Sequence, residues 1–549
     1  MSLSHIKRWI LLGHRWLGIG MCLLFFLWFL SGMVMMYVGH PKLTWQERLE
    51  HLPPLEACQP LLSPADAFRQ AGIHGAVTDL RLANARAGQP VYIAQVRPDA
   101  RPAPDAPRPA PSLVTLDAHT GALLPPTDPA TALGSAQVYL EQGGLSQPSS
   151  SSALPASGPR QPSTAPGAPG KPLYQGITVE DAHTHSTAMD LHRPLHKVLL
   201  PDAEQTLLYI SGTTGEVVRD APRLERGFNY LGAWLHWLYL FRDTAIDWTE
   251  LIIWLSVIGI VSVISGFLSG IIRWLFSRPY RSRSRSPFAP GALRWHHILG
   301  LIFALTTFTW IFSGLMSMNP WDIFEADDSI IDARRISSPD IQPSHATATP
   351  QALLASTTTP VRELQWHTLL GKTRVKAVRT HEVPPGNADQ PILLSARTGK
   401  PYTLEPERLR SALFTLQPGY PPRIDILRQD DFYYYSRIEH TMTGGRKPHP
   451  LPIWRVRYDD PNQTWLHIDP ATGQVLNELD SYQRAERWLF ALLHSWDWLP
   501  LLQNRPLWDI FMLVLAAGGL ALSATGIWIA GHRLHIKTRR WRLLRRKQQ

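Results

Sequence analysis

Four histidines in or beside apolar stretches are the residues of this chain whose type and placement most suggest chemistry. His14 and His296 lie near the beginning of two apolar stretches, and His236 and His494 lie shortly before two others. Ionisable side chains are costly within a membrane and are usually retained there for a function. Two imidazoles that face each other can hold a haem iron from both sides, and axial ligation tunes its redox potential. The four histidines are therefore candidate axial ligands of haem.

The elements that must position these histidines are four apolar spans, predicted at residues 9–38, 248–276, 293–318 and 507–531. Each has the roughly 20 residues that one crossing of the hydrocarbon core requires. The first span follows two basic residues and has an alternative interpretation as a signal peptide. Its apolar run is too long for that, and no small-residue cleavage site follows it, so a membrane helix is favoured.

Basic residues indicate how the spans are oriented. Arg and Lys crowd the loop at 277–292 and the C-terminal tail at 533–549, and the positive-inside rule places such segments in the cytoplasm. The N-terminus, which also carries Lys and Arg, is expected there too. Two long segments, 39–227 and 319–485, are then exported, which in a bacterial inner membrane means the periplasm. These flanks explain the formal net charge of +10, so no nucleic-acid partner is expected.

Each half of the chain is predicted to have the same order of elements. A membrane helix at 1–38 or 293–318 is followed by an exported segment. A second unit, at 228–276 or 486–532, then joins a short juxtamembrane helix to another membrane helix.

An internal repeat relates these two halves. The stretch GHRWLGIGMCLLFFLWFLSGMVMM of the first span aligns with WHHILGLIFALTTFTWIFSGLMSM of the third, which places His14 on His296. The stretch QTLLYISGTTGEVV aligns with QTWLHIDPATGQVL, and the residues that follow place His236 on His494. Self-similarity of this kind is the sequence signature of repeated structural units. The chain is therefore predicted to be internally duplicated.

The repeat and the topology together suggest how the histidines pair. His14 and His296 fall at the same depth on the cytoplasmic side, and His236 and His494 at the same depth on the exported side. Gly32 lies 18 residues after His14, which is five helical turns, so small residues on the histidine's face leave room for a flat macrocycle. The absence of a CxxCH motif excludes covalently attached c-type haem. We therefore expect two b-type haems, held by His14–His296 and His236–His494.

Two alternatives stay open for these histidines. The small residues could simply pack the helices, with the histidines making hydrogen bonds at the interface. His297 also competes with His296 for the ligand position, because neighbouring residues on a helix point about 100° apart and cannot both face one site. The repeat favours His296.

A separate group of histidines is a weaker candidate for a metal site. It consists of His183, His185, His192 and His196. His192 and His196 have the i, i+4 spacing that suits a metal on a helix. Pro194 lies between them and disfavours a helix interior, and the other half of the chain lacks equivalents.

The exported segments contain β-rich stretches that close in Thr-Gly, such as LVTLDAHTG and WLHIDPATG. Alternating apolar residues before such a pair predict a strand, a tight turn and a second strand. We expect small α+β modules, roughly two in each exported segment, with a Pro- and Ser-rich linker at 146–172. Only two cysteines are present, and Cys22 lies within the first span, so no disulfide framework holds these domains.

Several motifs resemble the PepSY-associated transmembrane proteins. These are GHRWLG at the head of the first span, HIDPATGQVL, LLHSWDW, and RPLWDIFMLVLAAGGLALSATGIWIAG of the fourth span. The resemblance implies a membrane protein of α+β class, with four transmembrane helices and two exported PepSY-like domains. It also implies the activity of a di-haem ferric-siderophore reductase, with His14, His296, His236 and His494 as the haem ligands.

The function expected from the sequence is a transmembrane ferric reductase. Its partners would be membrane lipid, a ferric siderophore or other ferric chelate, and an unidentified cytoplasmic electron donor, since no GxGxxG or flavin motif is found. Paired carboxylates and nucleophile constellations that would indicate a hydrolase are not found either. One alternative is a non-enzymatic PepSY sensor or accessory protein that binds a periplasmic partner. Another is an iron or siderophore transport subunit, which the scarcity of intramembrane carboxylates disfavours.

Overall fold

The computed structural model describes most of the chain. The described residues are 3–74, 77–96, 111–145, 170–242, 244–277, 279–281, 283–324, 329–380, 393–435, 449–504 and 506–546. The predicted linker at 146–172 lies outside these ranges except for residues 170–172.

Four long helices form the part of the protein that spans a membrane. These are Leu3–Tyr37, Trp248–Arg273, Ala292–Ser317 and Leu507–Arg546, called below the first to fourth membrane helices. All four are long and apolar enough to cross a bilayer, which confirms the predicted spans. The fourth helix continues beyond the predicted end at 531 through the basic tail, because Arg, Lys and Leu are good helix formers and no proline interrupts them.

The four membrane helices form a bundle in which neighbours in the chain are neighbours in space. The first and third helices each contact both the second and the fourth, so the first and third lie diagonally opposite each other. The N-terminus, the loop 274–291 and the C-terminal tail meet at one end of the bundle, the basic end. The two long segments between helices meet at the other end, the sheet end.

The first of these segments contains seven strands. They are β1 (Val77–Arg86), β2 (Gln89–Val96), β3 (Ser112–Asp117), β4 (Leu173–Thr178), β5 (Leu195–Leu199), β6 (Leu207–Ser211) and β7 (Val217–Ala221). The described part of the second segment contains β8 (Ser337–Ser338), β9 (Glu363–Leu369), β10 (Lys372–Val378), β11 (Leu393–Ser395), β12 (Arg423–Leu427), β13 (Ile453–Arg457), β14 (Trp465–Ile468) and β15 (Val475–Leu479).

Shorter helices complete the described segments. The α-helices are Trp45–Glu50, Pro64–Gln70, Pro129–Leu145, Arg223–Asn229, Pro350–Leu354, Pro406–Leu416, Ser481–Glu486, Leu493–Ser495 and Leu499–Leu502. The 3-10 turns are Thr187–His192, Tyr239–Phe241, Pro320–Asp322, Ala333–Arg335 and Pro343–His345, and the π-helical turns are Tyr230–Trp234 and Arg487–Leu492.

The strands form one shared sheet and two smaller ones. The shared sheet has the order β11-β10-β9-β1-β2-β3, with β8 paired to β9, and β1 and β9 join the two segments through antiparallel pairs such as Arg81 with Gln365. The segments β4–β7 and β12–β15 each form a four-stranded antiparallel sheet in sequence order. The helix Pro129–Leu145 packs on the first of these and Pro406–Leu416 on the second, which confirms the α+β character.

Four Thr-Gly pairs lie at tight turns, as their sequence pattern predicts. Gly121, Gly215, Gly399 and Gly473 have φ angles between 69° and 78°, a conformation that glycine adopts without a steric penalty. Gly215 and Gly473 connect the last two strands of the two four-stranded sheets. The chain can therefore reverse direction between these two strands over very few residues.

Candidate functional site

Two cavities lie within the membrane-helix bundle, one towards each end. The basic-end cavity has a volume of about 230 Å³ and is lined by residues of all four membrane helices. The sheet-end cavity has a volume of about 460 Å³. Its lining also includes His236 and Trp237, and Phe490 and His494, from the turns that precede the second and fourth membrane helices. Phe25 of the first helix lines both cavities.

His14 and His296 face each other across the basic-end cavity. They come from the diagonally opposite first and third helices, and their ring centres are 6.3 Å apart with an angle of 22° between the ring planes. His14 Nδ1 donates to the carbonyl oxygen of Ser262 at 3.3 Å. His296 Nδ1 donates to Thr525 Oγ1 at 3.1 Å, because the Thr525 hydroxyl gives its own proton to the Leu522 carbonyl.

His236 and His494 form a matching pair across the sheet-end cavity. Their ring centres are 6.2 Å apart, but the ring planes are nearly perpendicular, at 81°. His236 Nδ1 donates to Ser31 Oγ at 3.0 Å and His494 Nδ1 to Ser313 Oγ at 3.0 Å. Each serine hydroxyl donates to a carbonyl of its own helix. The serine oxygen is thus the acceptor, which fixes the proton on Nδ1.

Glycines on neighbouring helices make room for the four rings. A Cβ built on Gly266 would lie 2.7 Å from His14 Cε1, and one on Gly526 would lie 3.4 Å from His296 Cε1. At the sheet end, the corresponding distances are 3.6 Å from Gly32 to His236 Cε1 and 4.0 Å from Gly314 to His494 Cε1. The glycine stripes therefore let an imidazole approach the neighbouring helix closely. The sequence predicted small residues such as Gly32 on the face of the histidine's own helix, but not these contacts with neighbouring helices.

Similar backbone irregularities turn the two sheet-end histidines into the bundle. A π-helical turn precedes each histidine, at Tyr230–Trp234 and Arg487–Leu492. Two residues after each histidine the chain adopts a left-handed conformation, with φ of 53° at Leu238 and 50° at Trp496. π-turns shift the helical register and are frequent at functional sites.

The donor set of each pair fits an iron held between two imidazoles. A ligating imidazole nitrogen lies about 2 Å from its metal and roughly 1 Å from its own ring centre, so two rings on one iron have centres about 6 Å apart. Both observed separations agree with this value. Because Nδ1 of each ring is engaged as a donor, Nε2 carries the lone pair that binds a metal. Haem with two axial histidines is the cofactor that these residues could hold.

His297, the competing ligand candidate, also lines the basic-end cavity, but its ring nitrogens have other partners. Its Nδ1 pairs with Ser286 Oγ at 2.8 Å and its Nε2 with the Gly270 carbonyl at 2.9 Å. Its ring also packs against Trp274 and Phe288. Both ring nitrogens are therefore occupied, and His296 is the residue that faces His14.

The four histidines of the weaker metal candidate do not converge. His183 contacts Asn229, His185 pairs with Glu180, and His192 contacts Ser211, while His196 lies on β5 between Tyr174 and the Thr127 carbonyl. Within the described ranges no group of three or more His, Cys, Asp or Glu is placed to hold a metal ion. His192 and His196 do not lie on one face of a helix, because a 3-10 turn ends at His192 and a strand begins at Leu195.

The two cavities differ in the charged residues that line them. Arg15, Arg273 and Arg533 line the basic-end cavity, and Lys42 and His40 line the sheet-end cavity. Burial, together with the nearby positive charge of Arg219, lowers the pKa of His40 to about 4. His40 is therefore neutral at pH 7, and its Nδ1 pairs with Asn229 Oδ1 at 3.0 Å.

The comparison with protein families agrees with this arrangement of helices. The family model described as PepSY-associated TM region matches residues 11–416. The chain belongs to the PepSY-associated transmembrane family. The matched range of this PepSY-associated transmembrane protein includes His14, His236 and His296 but ends before His494. No curated protein gave a significant match.

Sequence reasoning missed several residues that complete the sites of this PepSY-associated transmembrane protein. Ser262 and Thr525 anchor the basic-end histidines, and His40 and Lys42 line the other cavity. A signal existed for the first two. Ser262 lies one helical turn before Gly266, which contacts His14, and Thr525 directly precedes Gly526, which contacts His296.

Proposed function

We propose that this protein is a di-haem b oxidoreductase of a bacterial inner membrane. It takes electrons at the cytoplasmic face and delivers them to a ferric chelate, of the siderophore class, on the exported side. The observation that carries this proposal is the pairing of four histidines in two opposed sets with ring centres 6.3 and 6.2 Å apart. The identity of the chelate rests on the family resemblance alone.

The residues of this chain would act by holding and orienting the cofactor. His14 with His296, and His236 with His494, would supply the nitrogens that bind each iron. The oxygen atoms that accept from Nδ1 hold each ring in place. Haem bound in this way supplies a one-electron Fe(III)/Fe(II) couple, whose potential depends on its ligands and their hydrogen bonds. Aromatic and aliphatic residues form much of the lining of both cavities and would give the cofactor a largely apolar setting.

The two pairs are placed to carry electrons between the ends of the bundle. His14 belongs to the basic-end pair, and Gly32 contacts His236 of the sheet-end pair. The two residues are 18 positions apart on one helix, or about 27 Å at a rise of 1.5 Å per residue. Phe25 lies between them and lines both cavities. This distribution supports a path from one face of the membrane to the other.

The orientation of this path is proposed from charge. The basic end carries Arg15, Arg273, Arg533 and the C-terminal run of Arg and Lys, and the positive-inside rule places such residues in the cytoplasm. The sheet end then lies in the periplasm, where the two β-rich segments would receive the chelate. Its reduction makes release possible, because oxygen-rich chelators hold Fe(III) more tightly than Fe(II).

We also propose that the chain arose by duplication. Three features occur at positions related by the sequence repeat. They are the Ser31–His236 and Ser313–His494 contacts, the two π-turns, and the two left-handed residues that follow the histidines. Two four-stranded sheets with the same strand order accompany them. These correspondences support two related halves.

An absorption spectrum of the detergent-purified protein tests the proposal. We expect a b-type spectrum with about two haems per chain, reduced by dithionite and reoxidised by a ferric siderophore. His14→Ala should remove one haem and leave the sheet-end haem, and His236→Ala should do the reverse. His532→Ala is the matched control, since His532 lies at the basic end of the fourth helix but does not line the cavity. A colourless protein from haem-supplied cells would refute the proposal and favour a sensor, accessory or transport role.

A further inference from the structure

Three arginines from three different helices surround the opening of the basic-end cavity. Arg15 directly follows His14, Arg273 ends the second helix, and Arg533 lies on the fourth. All three line the cavity that holds the His14–His296 pair. Arg533 is close enough to Arg15 and Arg273 for their charges to act on it.

The positions of two of these arginines follow from the glycines that contact the histidines. Arg273 comes seven residues after Gly266, and Arg533 comes seven residues after Gly526. Seven residues are close to two helical turns, so each arginine lies on the histidine-facing side of its helix, towards the basic end. The arginines and the histidine pair thus belong to the same cavity and not to separate faces of the bundle.

No carboxylate side chain of this part of the sequence can neutralise the three guanidinium groups. Residues 1–46, 251–321 and 510–549 contain neither Asp nor Glu. Arg15 and Arg533 are exposed and Arg273 is half-buried, whereas the buried Arg81 is paired with Glu216. Three like charges at one opening repel one another, and an anion bound between them removes that repulsion. The basic end therefore provides a site for an anion that the chain itself does not contain.

Resting on the proposed function, we propose that Arg15, Arg273 and Arg533 bind the two propionate groups of the macrocycle held between His14 and His296. Guanidinium groups bind carboxylates with two parallel hydrogen bonds and stay charged in apolar surroundings. Deeper in the cavity lie Phe25 and Ala304, where an unpaired carboxylate would be costly. The site therefore selects a macrocycle whose acidic edge points to the basic end.

The sheet-end cavity offers an internal comparison. Its lining contains one permanently charged side chain, Lys42, while His40 is neutral at pH 7 because of its lowered pKa. The basic-end site should therefore depend more strongly on the carboxylates of its ligand than the sheet-end site does.

Reconstitution with protohaem and with its dimethyl ester, which lacks both carboxylates, tests this inference. The full chain carrying His236→Ala isolates the basic-end site. After haem depletion it is titrated with each macrocycle and binding is followed in the Soret band. We expect the free acid to bind more tightly than the ester by tenfold or more, since charge-assisted pairs are the stronger class of hydrogen bond. Arg273→Gln and Arg533→Gln should weaken binding of the free acid and leave binding of the ester unchanged.

Lys537→Gln is the matched control, because Lys537 is a basic-end cation that packs on Trp16 and does not line the cavity. It should leave both affinities unchanged. Equal binding of the two macrocycles, or an equal loss of both in the arginine variants, would overturn the inference and favour phospholipid headgroups as the anion. If neither macrocycle binds to the otherwise unsubstituted protein, the proposed function itself fails.

Discussion

At the scale of single residues, the two sites are defined by which nitrogen of each imidazole is occupied. All four Nδ1 atoms meet a hydroxyl or carbonyl oxygen of the same protein. Such outer-shell partners orient a ligand ring and raise its basicity. Ser31 and Ser313 are especially informative, since they occupy equivalent positions of the repeat and make equivalent contacts.

Removing one of these hydroxyls should weaken one site only. Ser31→Ala deletes the acceptor for His236 Nδ1, and loss of an outer-shell partner typically lowers metal affinity by about 10- to 100-fold. We therefore expect weaker haem binding at the sheet end and unchanged binding at the basic end, measured by titration of the haem-depleted protein. Thr309→Val is the control, because the Thr309 hydroxyl donates to the Thr306 carbonyl of its own helix and Thr309 lines neither cavity. Equal affinities in Ser31→Ala and the parent would contradict the role of the contact.

With a haem held by each histidine pair as proposed, the ring orientations predict two different electron paramagnetic resonance signals. The planes of His14 and His296 differ by 22°, whereas those of His236 and His494 differ by 81°. Near-parallel axial imidazoles split two of the iron d orbitals, and near-perpendicular ones leave those orbitals almost degenerate. The oxidised protein should therefore show a rhombic low-spin signal from the basic end and a second signal with a larger maximal g value from the sheet end. The larger g value should disappear in His236→Ala, and its survival there would show that the pairs are wrongly assigned.

At the scale of helices and strands, close approach between membrane helices depends on single glycines. Among the four glycines that contact the paired histidines, Gly266 is the most demanding position, since a Cβ there would lie 2.7 Å from the His14 ring. Gly266→Ala should displace His14 and reduce haem at the basic end while leaving the sheet-end haem. Gly531→Ala on the fourth helix is the control, because nothing lies within 4 Å of its Cβ position. Haem content per chain and the spectra of the reduced variants measure the effect; full occupancy of both sites in Gly266→Ala would mean that the ring has room elsewhere.

The elements that the sequence predicts well are those with strong local signals. The four spans follow from long apolar runs, and the turn glycines from the Thr-Gly pattern, because both signals lie within a few neighbouring residues. The sequence repeat favoured His296 over His297 as the residue that faces His14, because it aligns His296 with His14. The π-turns before His236 and His494 have no comparable local pattern.

The shared sheet could not be predicted in the same way. Its decisive pair joins Arg81 of β1 to Gln365 of β9, two residues from different halves of the chain. Alternating apolar residues identify a strand and its buried face, but not which distant strand pairs with it. The sequence therefore predicts separate modules more readily than the sheet that joins them.

At the scale of the whole molecule, a buried charge network ties the two halves together beside the shared sheet. Arg81 pairs with Glu216 at 2.6 Å and with Glu363 at 3.5 Å, and Arg48 pairs with Glu363 at 2.8 Å. Glu363 belongs to the second half and the other three residues to the first. Because these side chains are almost fully buried, removal of one partner leaves a charge that water cannot reach.

The Glu216 carboxylate makes the stability of this joint depend on pH. Burial alone would raise its pKa, but the adjacent Arg81 guanidinium outweighs burial and lowers the pKa to about 2. A carboxyl group whose pKa is lower in the folded than in the unfolded state stabilises the fold above its unfolded value, here 4.5. That contribution is lost as the pH falls from there towards 2.

Glu216→Gln should therefore destabilise the protein most at neutral pH. Loss of one partner of a buried ion pair costs about 3 kcal/mol or more, so a clear drop in melting temperature is expected at pH 7, and the gap from the parent should narrow between pH 4.5 and 3. Asp425→Asn is the matched control, because Asp425 and Arg457 form a 2.8 Å pair that is largely exposed, and such pairs contribute little to stability. Melting followed by tryptophan fluorescence in detergent measures both variants. A gap for Glu216→Gln that is the same at pH 7 and pH 3 would show that the carboxylate's charge does not stabilise the joint between the halves.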